Sequence, residues 1–271
     1  MSLMSSIETV VKEITVYDMD GNEQKKIPLP VFFKAPIRTD LIRRAYLAAF
    51  TARLQPKGTD VLAGLRTTAE SLGVGLGIAR VARIKGGMRA ARVPQAVKGR
   101  RAHPPKVEKI LVERINKKER LLALASAISA TAILDLVKRR GHKVPEKPLP
   151  LVTLDDIEKV NTASKLREIL KKLGVWPDVE RAAEGIRVRA GRGKTRGRKY
   201  KKPKSVLIVV NDHREISKAA RNIPGVEVVN AMQLSVLHLA PGGVPGRLTI
   251  YTEGALKTLE TRLSKLKVMR E

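Results

Sequence analysis

Positive charge in this chain is gathered into two internal stretches that no acid interrupts, and nothing else limits its folding as strongly. Between Ser71 and Val107 stand nine Lys and Arg residues and no Asp or Glu; residues 186–205 carry ten and none. Like charges this dense repel one another, so neither stretch gains from joining a compact apolar core. Elsewhere the balance is ordinary: residues 1–40 hold 5 basic and 6 acidic groups, residues 111–185 hold 15 and 11, and residues 206–271 hold 9 and 6. Of the formal charge of +28 over 271 residues, the windows 41–110 and 186–205 supply 22. A polyanion removes the repulsion, because each phosphate met by Lys or Arg releases a condensed counterion. An anionic membrane fits less well, since neither stretch reads as a basic helix with an aromatic apolar face.

The remaining sequence can build a core, with 43 % hydrophobic residues overall. Cysteine is absent, which excludes disulfides, a thiol nucleophile and a thiolate zinc site. The opening MSLMSSIETVVKE lacks the apolar run of a signal peptide. The most lipophilic window, Leu121–Val137, contains Ser126, Ser129, Thr131 and Asp135 and suits a buried helix better than a membrane span. A soluble, cytoplasmic protein is expected.

Along the chain, residues 14–19 read as a strand closed by the turn Asp20-Gly21-Asn22. A proline-punctuated stretch leads to Thr39-Asp40, which can cap a helix from about Leu41 to Leu54. From Gln55 to Val107 no period of 2 or 3.6 persists and Gly and Pro accumulate, so this segment is expected to project and to order against phosphate. A helix is predicted from Asn116, with Glu119 completing a capping pair, to Arg140, ending at Gly141. Leu149–Leu154 reads as a buried strand, and helices are predicted over Thr162–Leu173 and from Pro177 to Glu184. After the second basic stretch come strands at 205–210, 226–230 and 248–251, with helices starting near Glu215, Met232 and Glu253. This alternation predicts an α/β fold, a largely parallel sheet with helices on both faces, interrupted by a long basic extended internal loop. The expected division is 1–54 with 108–271 as a globular α/β domain, 55–107 as the extended loop, and 186–204 as a basic segment within the globular part.

Signals for chemistry are weak. Gly73-x-Gly75-x-Gly77 follows no clear strand and has Ile78 where a dinucleotide fingerprint requires its third glycine. Gly193-Lys194-Thr195 ends like a P-loop, but Val188 stands where the first glycine belongs. His103, His142, His213 and His238 lie in separate segments without acids at metal-ligand spacing. Asp155-Asp156 follows a strand end, where a helix cap explains it as well as a site would, and Asp212-His213 reads as a helix cap and loop polar group rather than a site. No Gly-x-Ser-x-Gly turn occurs. The reading is non-enzymatic, with no cofactor and no metal. An RNA-modifying enzyme on a nucleotide-binding fold is the rival, and it requires a cofactor pocket beyond the strand ends. Aromatics are 3 % of the chain and only Tyr200 lies in a basic stretch, so base-stacking platforms are not expected. Arg and Lys dispersed among Gly, Pro and Ala suit threading between the phosphates of folded RNA.

Six separated stretches, in order, carry a resemblance: VYDMDGN at 16–22, LAGLRTTAES at 62–71, VPQAVKGRRAHPPK at 93–106, RAGRGKTRGRKYKKP at 189–203, RNIPG at 221–225 and HLAPGGVPGRLTIYTEGAL at 238–256. Together they resemble large-subunit ribosomal protein four (the L-four family) of the archaeal and eukaryotic type. The resemblance implies a globular domain on the large ribosomal subunit and an internal loop that enters ribosomal RNA and reaches the wall of the peptide exit tunnel. It implies neighbouring large-subunit ribosomal proteins and the passing nascent peptide as further partners, and no membrane. Carried onto this sequence, RNA-binding falls to Arg66, Arg80, Arg83, Lys85, Arg89, Arg92, Lys98, Arg100, Arg101 and Lys106 in the first stretch. In the second it falls to Arg187, Arg189, Arg192, Lys194, Arg196, Arg198, Lys199, Lys201, Lys202 and Lys204. The tunnel tip is Leu72, Gly73, Val74, Gly75, Leu76 and Gly77, more apolar than the family pattern, which commonly has an aromatic at the position of Leu72 and an Arg at that of Leu76.

Overall fold

The structure, a computed structural model, describes residues 13–264; the outer parts of the expected globular domain, 1–12 and 265–271, lie outside the described residues. Contacts divide the chain into two compact units, Met1–Phe50 with Glu113–Glu271, and Thr51–Val112.

In the first unit, β1 (Glu13–Tyr17) turns through Asp18–Asn22 into β2 (Glu23–Pro28), and α1 follows at Thr39–Thr51. In the second unit lie β3 (Ala69–Glu70) and β4 (Arg83–Ile84). The first unit resumes with α2 (Lys117–Ser129), α3 (Leu134–Arg139), β5 (Leu151–Thr153), α4 (Ala163–Lys172) and α5 (Trp176–Glu184). Next come β6 (Arg187–Val188), β7 (Tyr200–Lys201), β8 (Leu207–Val210), α6 (Arg214–Ala220) and β9 (Glu227–Asn230). The described chain closes with α7 (Val236–Leu239), β10 (Thr249–Thr252) and α8 (Glu253–Leu263).

Six strands form one sheet in the order β2-β1-β5-β10-β8-β9. All pairs are parallel except β1 with β2, an antiparallel hairpin at one edge. The parallel strands read as apolar runs because both of their faces are covered. In β8, Leu207 and Val209 enter one core cluster, while Ile208 and Val210 enter the other. The same alternation sends Val152 and Tyr251 to the first cluster and Leu151 and Ile250 to the second. Residues of α1, α2, α7 and α8 complete the first cluster; residues of α3, α4, α5 and α6 complete the second. The parallel sheet is therefore sandwiched by helices, as the alternation predicted.

Two local expectations need correction, and one strand has no counterpart among them. The helix expected from Asn116 to Arg140 is two helices: α2 passes through a 3₁₀ turn, and Ile133 is extended at φ −94°, ψ 112° before α3 begins. At the break, the Thr131 hydroxyl donates to the Ile128 carbonyl at 2.7 Å and meets the Tyr251 hydroxyl at 3.0 Å. The break lets α2 bury Ala125 and Ile128 in the first cluster while Val137 of α3 enters the second. An unbroken helix could not serve both faces of the sheet. The expected capping pair is also absent: Asn116 makes no side-chain cap bond, and Glu119 pairs with Arg44 at 3.2 Å. Finally, β2 was not predicted. Its Glu-Gln-Lys-Lys run has no apolar alternation, which suits an exposed edge strand that must not recruit neighbours.

Candidate nucleic-acid interface

In Thr51–Val112 the only regular pairing is two residues long, Ala69 opposite Ile84 and Glu70 opposite Arg83, with a bridge from Arg83 to Ala90. Ala69 and Ala91 are the only buried side chains of the unit. Its cations are exposed except Arg83, which is half-buried. Arg66 pairs with Asp60 at 2.5 Å and Lys85 with Glu70 at 3.6 Å. Arg83 donates to the Met88 carbonyl and Arg92 to the Ala69 carbonyl at 3.3 Å. Arg80, Arg89, Lys98, Arg100, Arg101 and Lys106 are exposed, with no acid paired to them among the described residues. Arg92 and Lys98 sit in the left-handed region at φ 63° and 61°, which non-glycine residues hold only where surroundings over-determine it. At the tip, Leu72, Val74 and Leu76 are half to three-quarters exposed, separated by Gly73, Gly75 and Gly77, all at positive φ.

The second stretch, expected as a basic segment within the globular part, forms a small hairpin. β6 and β7 pair antiparallel with Arg187 opposite Lys201 and Val188 opposite Tyr200. The Arg189 amide donates to the Lys199 carbonyl at 2.9 Å, and Arg192–Arg196 form a 3₁₀ turn. All ten cations from Arg187 to Lys204 are exposed, and Lys204, bonded to Glu227, is the only one paired to an acid among the described residues. Arg187, Arg189, Arg198 and Lys201 border an open hollow of about 730 Å³ floored by Ala190, Gly191 and Gly193. Like charges set across a strand pair are unfavourable. The hairpin's own backbone bonds work against this repulsion, and further bonds reach it at its root.

Asp178, in the first turn of α5, is fully buried and receives hydrogen bonds from five donors. They are His142 Nδ1 at 3.0 Å, the Lys143 amide at 2.9 Å, Arg181 Nε at 2.8 Å and Nη2 at 3.3 Å, and Ser205 Oγ at 2.8 Å. Burial opposes ionisation of Asp178, but the bonds from His142 and Arg181 outweigh it and hold its carboxyl well below the usual range. Burial likewise pushes the His142 imidazole down, against the pull of Asp178. Arg181 Nη2 also donates to the Lys204 carbonyl at 2.9 Å, at the hairpin's exit. Beside it, fully buried Arg247 donates to the Ser205 carbonyl at 3.0 Å, the His238 carbonyl at 2.8 Å and Glu227 at 2.6 Å. Two glycines permit the closeness: a Cβ on Gly185 would approach the Pro203 ring to 2.6 Å, and one on Gly225 (φ +74°) would meet Pro203, Ser205 and Ala182 at 2.9 Å.

None of these root residues was singled out from sequence as a site. The partners of Asp178 stand up to 36 positions away, and the one local cue was the i, i+3 spacing of Asp178 and Arg181 in α5. The carboxylates at the strand ends act on backbone. Asp155 accepts from the Gly254 amide at 2.7 Å, at the start of α8, and Asp212 from the Arg214 amide at 3.1 Å. Glu158 accepts from the amides of Asn211 and Asp212 and from the Thr252 hydroxyl. Among the described residues no group of His, Asp and Glu could hold a metal ion, and no helix is long and apolar enough to cross a membrane.

Comparison with known proteins agrees with the resemblance. The model of the ribosomal protein L4/L1 family matches residues 27–262. The chain is 56 % identical over 247 residues to the large ribosomal subunit protein uL4 of Methanocaldococcus jannaschii, covering 91 % of this chain and 98 % of that protein. It is 58 % identical over 254 residues to uL4 of Aeropyrum pernix, covering 93 % of each. To uL4 of Saccharolobus solfataricus it is 54 % identical over 261 residues, covering 96 % of this chain and 98 % of that protein.

Proposed function

Since the chain belongs to the ribosomal protein L4/L1 family, we propose that it is a structural, non-enzymatic constituent of the large ribosomal subunit, binding large-subunit ribosomal RNA through its two basic stretches. The observation that carries this reading is the uncompensated charge: of ten exposed cations between Arg187 and Lys204, one is neutralised by an acid among the described residues. Phosphates supply what the protein withholds. In this reading residues 55–107 enter the RNA and bring Leu72–Gly77 to the wall of the peptide exit tunnel, where nascent peptides pass and neighbouring ribosomal proteins adjoin. The protein would thereby support subunit assembly and translation in cytoplasmic ribosomes. Two features support the tunnel assignment. The tip exposes three aliphatic side chains without cations among them, and its unit lacks a core that would hold Arg92 and Lys98 in the left-handed region.

The test is the salt dependence of binding to purified, refolded large-subunit ribosomal RNA. Replacing Arg80, Arg83, Arg89, Arg92, Arg100 and Arg101 together by Gln should reduce the slope of log K against log salt by roughly four to five if all six meet phosphates. An unchanged slope would remove 55–107 from the interface.

A further inference from the structure

The hairpin's cations reach solvent, while the groups bonded at its root are the fully buried Asp178 and Arg247 and the half-buried Arg181. We propose that Asp178, Arg181 and Arg247 are positioning residues of the RNA interface, fixing the root of the Arg187–Lys201 hairpin so that its cations are arrayed before RNA arrives. The inference rests on reading the hairpin as RNA-binding, and it adds residues that contact no phosphate.

The geometry is specific to the root. Arg181 sits between the two ends of the hairpin: its Nε and Nη2 donate to Asp178 in the helix that leads in, and its Nη2 donates to the Lys204 carbonyl in the segment that leads out. Asp178 also accepts from the Ser205 hydroxyl, one residue further along the exit. Arg247 takes the Ser205 carbonyl from the opposite side and holds Glu227, the carboxylate bonded to Lys204. Entry helix, exit segment and neighbouring strand β9 are thus joined by charge-assisted bonds; those to Asp178 and from Arg247 involve fully buried groups, where such bonds are strong, while those at Lys204 are exposed. Without this root, mutual repulsion of the cations would splay the hairpin. Binding would then have to order it at the moment of association, which weakens affinity without removing a phosphate contact.

Two substitutions separate positioning from charge. Asp178→Asn adds one unit of positive charge near the hairpin, so electrostatics alone predicts tighter RNA binding. The positioning role predicts the opposite: about tenfold weaker binding at every salt concentration, with an unchanged salt slope. Arg181→Lys keeps the charge but loses the fork that spans Asp178 and Lys204, and should weaken binding several-fold, again with parallel lines. Both variants should speed tryptic cleavage between Arg187 and Lys202 relative to cleavage elsewhere. Thermal melts followed by circular dichroism show whether each variant is folded. If Asp178→Asn does not fold, Arg181→Lys decides, because its side chain is partly exposed and it buries no new charge.

Wild-type or tighter binding by the folded variants, or unchanged cleavage of the hairpin, would overturn the proposal. The underlying reading is tested separately by the triple variant Arg189→Ala, Arg198→Ala, Lys201→Ala. Its salt slope should fall by about two to three. If that slope is unchanged the hairpin does not bind RNA, and the positioning proposal falls with it.

Discussion

The hairpin Arg187–Lys201 and the stretch Ser71–Val107 of the other unit both concentrate cations without acids, yet their surroundings differ. The hairpin leads into β8, a strand buried on both faces, and five donors converge on one carboxylate at its root. The other unit has two buried alanines and a two-residue strand pair. Local opening is resisted by buried apolar area and shielded hydrogen bonds, so the two regions should differ widely in stability when the protein is free. If both bind RNA as proposed, one is prepared by its own core and the other depends on what it meets. Proteins that bind a folded polyanion can thus divide the work between a rigid contact that sets position and an adaptable one that follows the partner's surface.

The largest expected effect is on protection in the RNA-free protein. Backbone amides at the hairpin root, around Ser205 and Leu207, should exchange on the order of a thousandfold more slowly than those of Ala69 to Ala91. Leu207→Ala, which opens a cavity in the fully buried sheet, should destabilise the first unit by about 2–5 kcal/mol. It should raise exchange at the root steeply and leave exchange at Ala69 to Ala91 as it was. Equal loss of protection in both regions would show that they share one cooperative core and would break the comparison.

An intermediate effect comes from acid. His142 faces Asp178, Arg181 and Arg140, and burial holds its imidazole below the ordinary value near 6.5, to which it returns on unfolding. The unfolded chain therefore binds more protons in the window just below pH ~6.5, and stability rises with pH there. The contribution is complete above that value and is lost as pH falls through the window, with a limiting slope of about 1.4 kcal/mol per pH unit. Asp178, also held low in the folded state, adds a further loss only in the range of ordinary carboxylates. Urea unfolding from pH 8 to pH 5 should show a plateau and then a decline, and His142→Asn should flatten the decline above pH 5. A decline of equal slope in that variant would assign the acid sensitivity to other groups.

How much of this was legible in the sequence follows from which forces act locally. The strands Leu151–Thr153, Leu207–Val210 and Thr249–Thr252 stood out because burial on both faces demands unbroken apolar runs. The break at Ile133 did not, because α2 and α3 together keep a helical apolar spacing although they serve opposite faces of the sheet. The hairpin was hidden for another reason. Four paired residues, three of them charged or hydroxylated, carry no period, and the bonds at the root come from residues 178, 181 and 247. Charge counting could find the cations but not the acid that organises their base.

The smallest effect separates the two regions most finely. Lys98 lies at φ 61°, a conformation that costs a side-chain-bearing residue roughly 1 kcal/mol relative to glycine. If the free unit holds this turn, Lys98→Gly should relieve the cost and slow exchange around residues 96–99 by up to about fivefold. If the turn forms only against RNA, exchange in the free protein should not change. The relief would then appear as tighter binding, opposed by the loss of one cation, so affinity would stay within a few-fold of wild type while the salt slope falls by about 0.7–0.9. The corresponding left-handed residue at the hairpin turn is already a glycine, Gly197 at φ +77°, as a segment formed in advance by its own fold requires. Slower exchange in Lys98→Gly would therefore place residues 96–99 with the hairpin rather than with the adaptable half of the interface.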